Sequence, residues 1–283
     1  MNAPATDTAV TGRGAVFIDG VSKTYGSGPG AVEALSACTL AIEPGQFVAI
    51  VGPSGCGKST LINILAGFDQ PTDGSIRIDG RVVARPGDPP RPGPDRLVVF
   101  QHGALFPWMT VLDNVAYGPS RQGRLSRAEA RREASALLQR LGLSPLADRY
   151  PAQISSGGQR RVEIARALMN DPAVLILDEP FRAMDSLTKQ RMHATVLEMH
   201  ALIPKTVLFV THDLDEALLL SDRVVVMTTR PGRIKLDVAV DLPRPRGVEV
   251  AAGEAFLALK RRTHEAVYEE ARRAFEAGER ELA

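Results

Sequence analysis

Apolar residues in this chain fall into short runs separated by turn signals. Val16-Phe17-Ile18, Thr39-Leu40-Ala41-Ile42, Phe47-Val48-Ala49-Ile50-Val51 and Ser75-Ile76-Arg77-Ile78 read as strands, the last closed by the turn pair Asp79-Gly80. Residues 85–96 carry repeated prolines, which fix φ and remove donors, so they are expected to form a surface loop. Leu97-Val98-Val99-Phe100 then reads as a buried strand. From about 110 to 170 the period becomes helical. Ser126 and Glu129 form a capping box ahead of Ala130, Ala134, Leu137, Leu138 and Leu141, which share one helical face, and Gly142 ends that helix. Beyond it, strands near 173–177, 206–210 and 223–227 alternate with helices near 186–202 and 213–220, the pattern of a parallel sheet covered on both faces. A charged, Ala-rich helix is expected from about Ala251. The pattern predicts one α/β core, an all-helical insertion between Phe100 and Pro172, and a C-terminal extension.

Composition narrows the class. The 283 residues are 44% hydrophobic and 24% charged, enough for one large domain or a core with a subdomain. A net charge of +1 gives no electrostatic case for a nucleic-acid partner. The two cysteines, Cys38 and Cys56, make no disulfide framework and are expected to be reduced, as in a cytosolic protein. No apolar run approaches the roughly 18 residues of a membrane span. Met1 to Thr11 lacks the basic-then-apolar order of a secretory signal, and residues 1–13 are expected to be a disordered tail.

The chemistry begins at residues 52–60, Gly-Pro-Ser-Gly-Cys-Gly-Lys-Ser-Thr, which match G-x-x-x-x-G-K-[ST] between an apolar strand and the helix-forming run Leu61–Ala66. Gly52, Gly55 and Gly57 let the backbone turn its N–H groups toward phosphate oxygens, with the helix N-terminus behind them. In this pattern Gly52, Pro53, Ser54, Gly55, Cys56, Gly57, Lys58, Ser59 and Thr60 surround a nucleoside triphosphate. Lys58 offsets charge on the β/γ phosphates, and the Ser59 hydroxyl is placed to ligate Mg²⁺. Val174-Leu175-Ile176-Leu177-Asp178-Glu179 delivers two carboxylates to a sheet edge. Asp178 is expected to hold Mg²⁺, directly or through water, and Glu179 to polarise the attacking water.

These two motifs, with Ser155-Ser156-Gly157-Gly158-Gln159-Arg160-Arg161 shortly before the second and Thr211-His212-Asp213 after it, resemble an ABC transporter ATP-binding subunit from about residue 14 to 246. The resemblance implies an α/β P-loop NTPase core, a mixed sheet with an antiparallel β-subdomain, and an inserted all-helical subdomain at about 102–171. Residues 247–283 are then a C-terminal helical extension. Tyr25 matches the family's adenine-stacking aromatic. Gln101 matches the Q-loop glutamine, which reaches Mg²⁺ or the attacking water, and His212 the switch histidine near the γ-phosphate. Asp185 matches the D-loop aspartate, which crosses a dimer interface. In the register Ile154-Ser155-Ser156-Gly157-Gly158 the signature departs from the usual Leu-Ser-Gly-Gly-Gln. In the family this motif grips the γ-phosphate of ATP on a second copy, and the resemblance implies that Ser155 and the amides of Gly157 and Gly158 can still do so. Ser156 stands for the first glycine, and a positive φ there would cost about 1 kcal/mol and slow hydrolysis. Arg182 and Met184 stand where Gly and Leu are common.

The implied reaction is phosphoryl transfer to water with MgATP, split between two head-to-tail copies, with no separate arginine finger. The implied partners are integral membrane permease subunits and, indirectly, a substrate-binding protein; Phe106-Pro107-Trp108 is expected at the permease groove. The implied location is the cytoplasmic face of the inner membrane. Pro92–Arg96, Val99–Gln101, Leu105–Trp108, Arg230-Pro231-Gly232-Arg233-Ile234 and Asp241–Arg246 resemble the branch of importers for nitrate, taurine and aliphatic sulfonates. Another small organic solute, or a weakly hydrolysing ATP-dependent regulatory clamp, is the alternative. Cys56, if beside the phosphates, is expected to react with alkylating agents unless ATP shields it.

Overall fold

The computed structural model describes residues 13–182, 184–244 and 246–276. The expected tail at 1–13 lies outside these apart from Arg13, as does the end of the extension at 277–283. Two sheets carry the fold. The first strands are β1 (Val16–Tyr25), β2 (Val32–Ile42), β4 (Asp73–Ile78) and β5 (Arg81–Ala84), which make a four-stranded antiparallel sheet in the order β2-β1-β4-β5. The larger sheet contains β3 (Phe47–Val51), β6 (Arg96–Val99), β7 (Val174–Asp178), β8 (Thr206–Val210), β9 (Arg223–Met227) and β10 (Ile234–Ala239). Its order is β10-β9-β3-β8-β7-β6, parallel throughout except for the antiparallel edge β10.

Alternation along the central strand explains the layering. Phe47, Ala49 and Val51 enter a core shared with the helices, while Val48 and Ile50 enter a second core shared with the antiparallel sheet. Helix α1 (Lys58–Ala66) lies in that second core, through Leu61, Ile62, Ile64 and Leu65. Between β6 and β7 come α2 (Val111–Arg121), α3 (Arg127–Arg140) and α4 (Ser156–Leu168), packed on one another. The Ser126–Glu129 capping box is formed, and Ala130, Ala134, Leu137 and Leu138 are buried as the pattern required. Then follow α5 (Ser186–Leu202), α6 (Leu214–Leu220), a short α7 (Val248–Ala251) and the long α8 (Glu254–Glu276).

The structure corrects the strand reading at three places. Arg96 is not in the Pro-rich loop but opens β6, almost fully buried, with its guanidinium on Asp95 Oδ1 at 2.9 Å and on the Arg91 carbonyl at 2.5 Å. Phe100 lies past the end of β6, exposed, and stacks on Phe68 with ring centroids 5.9 Å apart. The edge strands β5 and β10 were not anticipated, because half-exposed edges carry a weak apolar signal.

Candidate functional site

The strand-to-helix turn after β3 is built from conformations that exclude most side chains. Gly55 has φ 77° and Gly57 has φ 94°, both left-handed. A methyl group on Gly57 would stand 2.6 Å from Leu35 Cδ2 and 2.8 Å from the Ala34 carbonyl oxygen, so the loop approaches β2 too closely for anything but glycine. The turn opens onto a cleft of about 340 Å³ whose walls include Tyr25, Ser54, Gly55, Gly57, Lys58, Ser59, Thr60, Glu179, His212 and Arg230. The ammonium of Lys58 is buried and donates to the carbonyls of Gly52 at 2.7 Å and Pro53 at 2.9 Å. It is thus poised over the loop, with donors that can pass to phosphate oxygens.

Tyr25, at the end of β1, donates its hydroxyl to Asp69 Oδ2 at 2.9 Å, and its ring lies under Lys23 Nζ at 4.9 Å. Burial, opposed by a Thr60 hydrogen bond and reinforced by Asp69, holds its phenol above the ordinary range. The ring is still 42% exposed, which leaves a face for a base to stack on.

Strand β7 ends at the same cleft: Glu179 lines it, and Asp178 lies within electrostatic reach of Lys58 and His212. Burial, with the neighbouring Glu179 charge, raises the Asp178 carboxyl above the usual range; Lys58 and His212 act in the opposite sense. Glu179 has φ 44°, a conformation costing an L-residue with a side chain about 1–2 kcal/mol. It is held there because its N–H donates to the Val210 carbonyl at 2.9 Å. Its carboxylate meets His212 Nε2 on one oxygen and Arg182 Nη1, at 3.1 Å, on the other. The donors facing the cleft are hydroxyl, carboxylate and carbonyl oxygens, the chemistry that suits Mg²⁺. No cluster of three His, Cys, Asp or Glu side chains that could hold a metal occurs among the described residues, so phosphate oxygens and water would have to complete its shell.

The remaining expected residues lie elsewhere. Gln101 sits just past β6, and its carbonyl accepts from Arg160 Nη2 at 2.6 Å. Ser155 caps α4, its hydroxyl oxygen accepting from the Gly158 N–H at 3.2 Å; the Gly158 donor is therefore engaged, while the hydroxyl proton stays free to reach outward. Asp185 caps α5 by accepting from the Thr188 N–H at 3.0 Å. A methyl on Gly157 would lie 3.4 Å from Thr188 Cγ2, so these two helix starts form one surface, and none of their residues lines the cleft of this chain. Two expectations change. Ser156 is the first helical residue of α4 and is not among the described residues with positive φ, so the strain foreseen there is absent. Cys56 lines the buried side of the loop, fully enclosed, with its thiol 3.5 Å from Lys58 Nζ; it offers nucleotide only its backbone, and ready alkylation no longer follows. Two cations that the motifs did not place also reach the site, Arg182 on Glu179 and Arg230 beside Gly55.

A model of the ABC transporter family matches residues 35–182, across the phosphate turn, α4 and the β7 carboxylates. The nitrate import ATP-binding protein NrtD of Synechococcus elongatus is 41% identical over 252 residues, 87% of this chain and 89% of its own. The chain belongs to the ABC transporter family. The bicarbonate transport ATP-binding protein CmpD of a Synechocystis strain is 43% identical over 231 residues, covering 81% of this chain and 80% of that one. Among solved structures, cbiO1 from Clostridium perfringens, part of the ABC transporter complex cbiONQ, superposes with a TM-score of 0.71 at 29% identity, covering 89% of this chain and 98% of that one. The cassette MJ0796, solved as a dimer in a post-hydrolysis state with ADP and Pi, gives a TM-score of 0.64 at 32% identity, covering 82% and 99%. This chain is accordingly an ABC cassette with the α/β P-loop NTPase fold, and an ATPase of the importer kind. Among the described residues no helix is long and apolar enough to cross a membrane.

Proposed function

We propose that the cassette hydrolyses MgATP as a head-to-tail pair of copies and drives import of a small anion, such as nitrate, taurine or an alkanesulfonate, through membrane permease subunits. The observation that carries the reading is the division of the site. Lys58, Ser59, Tyr25, Glu179 and His212 share one cleft, while Ser155 and Asp185 are exposed on a separate surface of the same chain, with Gly157 buried behind Ser155. A second copy facing the cleft supplies that surface.

In this reading Lys58 neutralises the β/γ phosphates, Tyr25 stacks on adenine, and Ser59, Asp178 and the Gln101 amide hold the metal. A metal held there would withdraw charge from the phosphate oxygens. Glu179 orients water and accepts its proton, with His212 fixing the carboxylate and reporting the γ-phosphate. Asp178 must be ionised to serve the cation, so its raised pKa makes metal uptake weaken as pH falls. The helical stretch at about 102–171 is the permease-facing subdomain, consistent with Trp108, which is 70% exposed and packs its ring 5.6 Å from Phe106. Phe106 in turn lines a cleft of about 300 Å³ between β6 and the helices, together with Phe100, Tyr117 and Arg166. The cassette then works at the cytoplasmic face of the inner membrane, with a substrate-binding protein as indirect partner. The likeness to nitrate and bicarbonate transport proteins supports a small anion as solute.

The test uses Glu179→Gln, which keeps the shape of the base and removes its proton acceptor. In saturating MgATP the variant should elute as a dimer by light scattering and show no turnover, while wild type turns over. A variant that stays monomeric sinks the shared-site reading.

A further inference from the structure

The turn between β9 and β10, residues 228–233, does more than connect two strands. It is wedged under the phosphate loop. The Gly232 N–H donates to the Ala34 carbonyl at 3.0 Å, and the Gly232 carbonyl accepts from the Ser36 N–H at 3.0 Å. A methyl on Gly232 would sit 2.2 Å from the Cys56 carbonyl oxygen, so the turn touches the loop itself. Thr228 closes the turn internally, donating its hydroxyl to the Pro231 carbonyl at 2.8 Å and accepting from the Arg233 N–H at 2.9 Å.

From this turn Arg230 projects into the nucleotide cleft. A methyl on Gly55 would stand 3.3 Å from its terminal nitrogen and 3.6 Å from Nε, so the guanidinium lies along the phosphate loop. The side chain is exposed, and among the described residues no hydrogen bond or ion pair uses it. A planar cation with free donors, beside amides that bind phosphate, matches a phosphate oxygen pair in geometry and charge.

The turn is itself held from behind by α8. Glu270 is 1% exposed and accepts from the Thr229 N–H at 3.1 Å, while its other oxygen takes Lys235 Nζ at 2.7 Å and Arg273 Nη1 at 2.8 Å. Lys235 also donates to the Ala266 carbonyl at 3.0 Å. A carboxylate on the C-terminal helix is thereby bonded to the residue next to Arg230.

We propose that Arg230 is a further phosphate-binding residue of the ATP site, supplied in cis, and that α8 positions it through Glu270. This rests on reading the cleft as the triphosphate site. Arg230 then adds to Lys58 a second cation on the same chain, and the C-terminal helix becomes a part of the chain through which ATP affinity can be set.

The experiment measures binding of a fluorescent ATP analogue and of AMP to nucleotide-free protein, without hydrolysis. Arg230→Gln should weaken the ATP analogue about ten-fold or more, the loss expected for one charge-assisted contact, and leave AMP within about two-fold. Arg230→Lys should recover part of the loss. Arg233→Gln, in the same turn but bonded to Ser36, should bind like wild type. Glu270→Gln should weaken the ATP analogue in the wild-type background and have no further effect in Arg230→Gln. Glu270→Asp, which keeps the charge and shortens its reach, gives the same reading should the amide fail to fold. If Arg230→Gln binds both ligands like wild type, the arginine has no such role. If Glu270 variants lose equal affinity in both backgrounds, α8 does not act through it. If wild type itself binds no ATP analogue, the assignment of the cleft fails instead.

Discussion

Arg160 offers the sharpest energetic test of the cassette. It lies in the first turns of α4, 7% exposed, and its guanidinium donates to the Phe100 carbonyl at 2.6 Å, the Gln101 carbonyl at 2.6 Å and Glu163 Oε2 at 2.7 Å. Glu163, equally buried, accepts on its other oxygen from the Ala104 N–H at 2.7 Å, and Arg166 donates to the Ala104 carbonyl at 2.8 Å. The ion pair therefore bolts the segment carrying Gln101 to the helix whose start carries Ser155. Removing Arg160 leaves the buried Glu163 carboxylate with only the Arg166 charge nearby and no cation bonded to it, which costs about 3–5 kcal/mol, whereas replacing both partners by apolar groups is often close to neutral. Arg160→Met should lower the unfolding free energy by about 3–5 kcal/mol, since Glu163 keeps a single backbone donor and two carbonyls lose a charged one. Glu163→Met should cost less, about 1–3 kcal/mol, because Arg160 retains both carbonyls. The double variant should lose less than Arg160→Met alone, a coupling of about 2 kcal/mol or more. Urea unfolding of nucleotide-free protein, followed by far-ultraviolet circular dichroism at constant m, measures all four corners of the cycle. Single losses that simply add, within about 0.5 kcal/mol, would refute the reasoning.

Two shorter predictions follow from the same geometry. Ser156→Gly should leave the ATPase rate within about two-fold of wild type, because Ser156 already has a helical conformation and no strain is relieved; a clear rise would mean that the nucleotide-bound state demands positive φ. Glu216 is buried, which by itself raises its carboxyl, but the adjacent His193 ring, 3.7 Å away, and close contacts from Thr211 and Lys189 outweigh that and leave it below the usual range. Its contribution is present above the unfolded value of about 4.3 and is lost as pH falls through the lower folded value, so the stability gap between wild type and Glu216→Gln should close on acidification and stay constant from pH 6 to 8.

The parts of the site that were legible in the sequence are those fixed by neighbours along the chain. Gly55 and Gly57 announce left-handed turns, and the apolar run into Asp178 announces a strand that ends at the sheet edge. The Ser126 and Ser155 caps are likewise local events. What escaped depends on partners far along the chain. Arg230 meets Gly55 only because β9 runs parallel to β3 and ends beside the phosphate loop. Arg96 looked like a loop residue because its charge is compensated by Asp95 and the Arg91 carbonyl, which no hydrophobic pattern reveals. Cys56 had the right position but the wrong orientation: its side chain packs under the turn, and a methyl on Gly52 would lie only 2.8 Å from its sulfur.

Glu179 shows how these levels meet. A glycine would adopt φ 44° without strain, yet a carboxylate occupies the position, so the local penalty of about 1–2 kcal/mol must be offset by the surrounding structure. The offset is visible in three contacts: the Val210 carbonyl fixes the backbone, His212 one carboxylate oxygen and Arg182 the other. Val210 and His212 both come from the end of β8, the parallel neighbour of β7, so the register Asp178↔Val210 sets the placement of the carboxylate. Arg182 is 61% exposed, so its pair with Glu179 is screened by water and worth at most about 1 kcal/mol. The rigid part of the arrangement therefore comes from the sheet, and the Arg182 contact is the weakest of the three.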